Sequence, residues 1–477
     1  MSTLQHLPND SNPELALREI TRILKRALSG LGFSFFELAA YELTNEAVRR
    51  LLEGELQRLA DGFEDEVAAS GQRHRRYTDP ATVSYHGLSG PLMVTRHLYR
   101  RVGDRNGPTI DPVALSAGIM EGATPALARS LAQGYADHDM RQHRETMLKD
   151  LRLPPSRATM ERVAKQLASK MHTELPKFEQ DVRGRETPPA DTCGVVVGLD
   201  RTAVPMEELC PGKPPVARKK PYQRRRPPPI EVNYRMAYVG TVTCVDEDGK
   251  ALQTLRYSIP AADDPATIAA RMRLDVEAIL ASKPTAAVGL VQDGAPEMWN
   301  VMRRALQPLV NKQLIKGWEE GIDRYHLLER LSAATAIVLP DECERAAAFD
   351  PLIKSLDHDD TAIDKIYRRL LKHANDLKPN DEKVLVEHLT YIENNKDRMR
   401  YVGLRLAGLS VGSGVTESAA KVVIKHRTNR SGQRWSEQGL RGLLNLRALR
   451  LGDRFDTAWQ RFARCYATRI GPVANAA

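Results

Sequence analysis

Gly194–Asp200 reads GVVVGLD. Three consecutive valines and a leucine, bounded by glycine, form the short β-branched run of a strand covered on both faces. Asp200 ends that run. A second run, AAVGLV over Ala286–Val291, leads to Asp293 in the sequence QDGAPEMW. Between them, YRMAYVGTVTCVD and ALQTLRYSI read as two antiparallel strands joined at the turn sequence DEDGK. A helix follows over 265–281, and EMWNVMRRALQPLVN continues as a helix after Asp293. The order strand, strand, strand, helix, strand predicts an α/β class with a mixed sheet and flanking helices. Acids at the ends of buried strands sit on rigid backbone where such a sheet opens to ligand.

A third acid stands in a different setting. In VGSGVTESAAKVVIKHRTNRSGQRWSEQGLRGLLNLRALR, from Val411 to Arg450, Glu417 lies near the start of a helical pattern. Lys421, Lys425, Arg427, Arg430 and Arg434 follow closely, with Glu437 the one further acid in the stretch. A carboxylate among so many cations suits a site that holds a divalent metal beside a nucleic-acid phosphate. Asp200, Asp293 and Glu417 are therefore the candidate catalytic residues and metal ligands. Two magnesium ions about 4 Å apart can serve the attacking and the leaving oxygen of an in-line phosphoryl displacement. Taken singly, each acid has a plainer explanation. An Asp after a strand caps or turns the chain, and Glu417 complements a helix dipole.

The ordered set GVVVGLD, VQDGAPEMW, IDRYHLLERL and SGVTESAAKVVIKHRTNRSGQRWSEQGL resembles the DDE transposases of bacterial insertion sequences, in particular the Kra-type group. The resemblance covers roughly the C-terminal two thirds of the chain and is strongest in the last block. It implies a ribonuclease-H-like catalytic domain that cuts DNA at element ends and joins the freed 3′ hydroxyls to target DNA. It implies magnesium as cofactor, with manganese as a substitute, and a homo-oligomer on double-stranded DNA. The triad carries over to Asp200, Asp293 and Glu417, and a D-x-Y-H element to Asp323, Tyr325 and His326. Relatives often carry a cysteine-bearing zinc-ribbon hairpin upstream. The comparable stretch here, His86–Val102, has no cysteine. Two rival readings remain at this stage: another metal nuclease on the same fold, of resolvase type or cutting RNA–DNA hybrids, and a non-catalytic DNA-binding protein.

The rest of the chain is organised around this region. Residues 1–75 read as helical, with Asn45 as a cap, and these helices either dimerise or pack locally. Residues 76–107 read as the hairpin. Residues 108–187 read as helices with a helix-turn-helix-like pair about RLPPS, capped at Ser156 and presenting Arg157, Arg162 and Lys165 to DNA. The catalytic domain occupies 188–326 and 410–450, interrupted by a helical insertion over 327–409, and 451–477 forms a tail. Asp323 is a candidate auxiliary acid. His326 is a structural hydrogen bonder, a metal ligand or a DNA contact. Lys213, Arg218, Lys219, Lys220, Arg224, Arg225 and Arg226 crowd a proline-rich stretch without an acid, a phosphate-gripping arm beside the site. With His326, Lys421, Lys425, Arg427 and Arg430 they complete the candidate DNA contacts.

Net charge of +9 favours a polyanionic partner, and an aromatic content of 5% argues against binding chiefly by base stacking. The five cysteines form no C-x-x-C pair, which points to free thiols in a reducing compartment. No apolar run reaches the roughly 18 residues of a membrane span. The expected location is the cytoplasm, at the nucleoid of a bacterium.

Overall fold

The computed structural model describes residues 18, 21–22, 25–26, 29–30, 32–210, 229–374 and 377–473. The chain forms two compact units, Met1–Glu174 with Trp459–Ala477, and Leu175–Ala458. The division falls inside the helix Arg157–Arg183, upstream of residue 188 where the sequence reading begins the catalytic region.

In the first unit, a helix runs from Phe33 to Asp61 and stops at Gly62. Asn45 does not cap it. Asn45 lies inside the helix and donates Nδ2 to Leu151 O at 2.6 Å, because the helical pattern already starts at Phe33. Glu53 and Gln57 accept the backbone N–H groups of Met93 (2.7 Å) and Thr95 (2.9 Å), closing one edge of the hairpin Ala81–Gly87/Gly90–Arg96. Residues 66–75, read as helical, belong to a second hairpin, Glu66–Ala69 with Gln72–Arg76. Its turn places Ser70 and Gly71 at positive φ, which glycine accepts without a Cβ clash. Arginine-rich QRHRR carries no apolar alternation, so the strand left no trace in the pattern. Ile470–Pro472 pairs with Glu66–Ala69 at the sheet edge, so the C-terminal tail carries a strand, after a helix over Phe455–Tyr466. Ser156 caps the helix Arg157–Arg183 through Thr159 N at 3.2 Å, as expected.

The second unit is built on a mixed sheet of β1 (Gly194–Leu209), β2 (Ile230–Val245), β3 (Ala251–Ile259), β4 (Ala287–Gln292) and β5 (Glu319–Ile322), in the order β5-β4-β1-β2-β3. β1, β2 and β3 are antiparallel neighbours, and β4 and β5 run parallel to β1. Gly194–Leu199 is buried throughout, which explains its unbroken apolar run. Helices Pro265–Ser282 and Pro296–Asn311 contribute Met272, Val276, Trp299 and Met302 to the same core. After β5 the chain is helical through Arg324–Val338, Glu342–Ser355, Ala362–Ala374, Pro379–Asn395 and Tyr401–Leu406.

One strand differs from its expectation in a way that matters for the site. β1 does not end at Asp200 but continues to Leu209, paired with β2 over its whole length. The neighbour on its other side stops sooner, since β4 pairs only with Gly194–Val197. Asp200 therefore sits in mid-strand, just past the point where the parallel half of the sheet ends. Beyond it β1 and β2 continue as a two-stranded ribbon. That ribbon ends at Cys210 and Pro229, and the basic arm expected over Lys213–Arg226 lies outside the described residues.

Candidate active site

Period two along β1 puts Gly198 and Asp200 on one face. The helix Gly414–Ala419 lies across that face. A Cβ at residue 198 would stand 2.3 Å from Thr416 Oγ1 and 2.9 Å from Val291 O, so glycine is what permits the approach. Thr416 Oγ1 is also 2.6 Å from Thr241 Oγ1 of β2 in a buried hydroxyl pair. The residue after this anchor is Glu417.

A second anchor ties the same helix to the other acidic strand. Asp323 follows β5 and caps the helix Arg324–Val338, its Oδ1 accepting from His326 N at 2.9 Å. Its Oδ2 accepts from Ser413 Oγ at 2.6 Å and from Ser413 N. Asp323 N donates to Gln292 O, the residue before Asp293, at 3.2 Å. At 1% exposure and with these partners, Asp323 anchors the Glu417 helix. Trp299 Nε1 donates to Asp293 O at 2.7 Å and holds the turn that presents Asp293.

Two of the three carboxylates, Asp200 and Asp293, are raised above their ordinary range. Burial pushes Asp200 up to about 6, helped by the negative charges of Asp293 and Glu417 and opposed by its hydrogen bond from Arg201 N and by His326. Asp293, half exposed at its side chain, is also raised, first by partial burial and then by Asp323 and Glu417, against His326 and Arg330. His326 Nδ1 stands 3.2 Å from Asp293 Oδ1 and 3.4 Å from Asp323 Oδ1, without the alignment of a hydrogen bond. Glu417 is paired with Lys421 at 2.7 Å, which raises the lysine. Among the described residues no group of three or more His, Cys, Asp or Glu is placed so that it could hold a metal ion. The donor chemistry fits a hard divalent cation, since all three groups are carboxylates and a cation would relieve two that are held above their ordinary range.

The cationic candidates divide. Lys421 and Lys425 are exposed. Lys421 lies on the face of Glu417 as expected, and Ala420–Lys425 forms a π-helical turn, wider than the α-helical spacing expected to bring Lys425 there as well. Arg427 does not face solvent. It is 3% exposed with its guanidinium 5.1 Å from the Trp435 ring centroid, because Trp435 docks against the β1–β2 ribbon and closes over it. Arg430 donates Nε to His426 O at 3.1 Å. In the other unit Arg157, Arg162 and Lys165 are exposed, Arg157 paired with Glu161 at 2.8 Å. All five cysteines are free. Among the described residues no helix is long and apolar enough to cross a membrane. The sequence reading missed Gly198, Thr416 and Ser413, which position the acids. The step of two between Gly198 and Asp200 was the available signal for the first.

No protein-family model matches the chain, and a search of curated proteins finds no match.

Proposed function

We propose that the chain is a magnesium-dependent DDE-type DNA transposase with a ribonuclease-H-like catalytic domain. The observation that carries the reading is the locking together of the elements that bear the three acids, Gly198 of β1 against Thr416 beside Glu417, and Asp323 between Ser413 and the Gln292 carbonyl beside Asp293. Three antiparallel strands followed by two parallel ones, with acids where the parallel half opens, support the fold assignment. Magnesium held by these carboxylates would supply charge neutralisation to the attacking and leaving oxygens of a phosphodiester. In the first reaction the oxygen of water forms a bond to phosphorus, the bond to the 3′ oxygen breaks, and that oxygen leaves as a 3′ hydroxyl. In the second, the 3′ hydroxyl attacks a target phosphodiester and displaces another 3′ oxygen. No covalent protein intermediate is needed. Asp200 and Asp293, ionised, would hold the cation, with the charge of His326 beside Asp293, and exposed Lys421 would turn from Glu417 to a DNA phosphate. The DNA is double-stranded, bound as element ends and target by a homo-oligomer.

Binding of the metal is the first test. Titration with Mn2+, followed by calorimetry and by the loss of free-ion paramagnetic signal, should give saturable binding that Asp200→Asn and Asp293→Asn each abolish. Equal Mn2+ binding by wild type and both variants would reject the site.

A further inference from the structure

The helices after β5 bring a second set of side chains to the turn that presents Asp293. Tyr391, on Pro379–Asn395, lies against Gly294: a Cβ at 294 would stand 2.5 Å from Tyr391 Cε2 and 2.9 Å from its hydroxyl. Glycine at 294 thus admits an aromatic ring beside the acid. Arg330, one helical turn beyond His326, lays its guanidinium 3.8 Å from the centre of that ring. Arg330 is exposed, and no ion pair joins it to a carboxylate among the described residues. His388, on the same helix as Tyr391, keeps its Nδ1 without a hydrogen-bond partner.

We propose that Arg330, packed against the Tyr391 ring, grips a backbone phosphate of the DNA strand that enters beside Asp293. An arginine presents paired N–H donors that match two phosphate oxygens, and contact with the ring restrains the side chain before DNA arrives. The helical stretch between β5 and Glu417 then supplies one wall of the DNA channel. Arg330 acts as a positioning residue, and Tyr391 as its support. The inference rests on the reading of the site as one that acts on DNA.

The experiment is fluorescence anisotropy with a labelled duplex from the DNA flanking the gene, in chelator, across a salt series. Arg330→Ala should weaken binding roughly 10-fold and flatten the log–log salt slope by about 1. Arg330→Lys should retain the slope with weaker binding, and Tyr391→Phe should leave both near wild type. A scan of single neutral methylphosphonates should find one position that weakens wild type and leaves Arg330→Ala unchanged. A wild-type slope in Arg330→Ala, with every methylphosphonate affecting both proteins alike, would overturn the proposal. So would a loss of thermal stability in Arg330→Ala without a change in slope, which would make the stack a staple between two helices. Those outcomes leave the transposase reading standing. Absence of wild-type binding to any duplex, together with absence of metal-dependent cleavage, would remove that reading and this inference with it.

Discussion

Asp200→Asn should make the metal-free protein more stable, and the gain should depend on pH. The Asp200 carboxyl moves from its ordinary 3.8 to about 6 in the fold. A raised acid binds its proton more tightly when folded, so its ionisation opposes folding. That penalty is absent below pH 3.8, grows between 3.8 and 6, and is complete above 6. At roughly 1.4 kcal/mol per pH unit, the full penalty is about 3 kcal/mol at pH 8 and about half of that at pH 5. Asparagine keeps the shape and the oxygen that accepts from Arg201 N at 2.6 Å, but carries no charge. For a unit of this size the gain corresponds to a rise on the order of 5 °C in melting temperature. Thermal unfolding in chelator at pH 8 and pH 5 measures it, and repetition with magnesium adds a second reading. Magnesium should raise wild type towards the variant and leave the variant unmoved. An Asn variant less stable than wild type at pH 8, or a gain equal at both pH values, would refute the assignment of a strained charge to Asp200.

Three further outcomes follow from the packing. Gly198→Ala forces a Cβ onto Thr416 Oγ1 and Val291 O and should lower stability by about 1–3 kcal/mol. Chemical unfolding measures it, and an unchanged midpoint would show that the Glu417 helix does not rest on β1. Arg427→Ala should lower stability by about 1–3 kcal/mol by emptying the stack on Trp435, while leaving the salt slope of DNA binding unchanged. A flattened slope would return Arg427 to the DNA surface. Neutralising several residues of Lys213–Arg226 should weaken binding to all sequences alike and reduce the slope by roughly 0.9 per lost contact; loss confined to one sequence would contradict a phosphate-gripping arm.

The central sheet was legible because its strands are buried on both faces and write themselves as apolar runs. β5 was not, since in its four residues EEGI only Gly321 and Ile322 are buried and the pattern looks like a loop. The true length of β1 was hidden for a related reason. Beyond Asp200 it is paired by β2 alone, and Arg201, Glu207 and Glu208 break the apolar run without breaking the strand. The acids could be picked out by their places after such runs, but not what aims them. The contacts of Asp323 with Ser413 and of Gly198 with Thr416 join residues far apart in sequence, and no local pattern records such pairs. Arg427 looked like its neighbours in a basic run. Its burial depends on Trp435 docking on a ribbon formed more than two hundred positions earlier.

The central claim is that Asp200, Asp293 and Glu417 together perform metal-dependent chemistry on DNA, and the most direct measurement is strand cleavage and joining. A plasmid carrying the gene with its flanking DNA is incubated with wild type, Asp200→Asn, Asp293→Asn or Glu417→Gln and magnesium, beside a binding assay in chelator. Wild type should release 3′ hydroxyl ends and join them to a second DNA. Each variant should lose both products and still bind DNA, since the cations that supply the affinity remain. Cleavage near the wild-type rate by Glu417→Gln would contradict the account and leave Glu417 as a helix-start residue paired with Lys421.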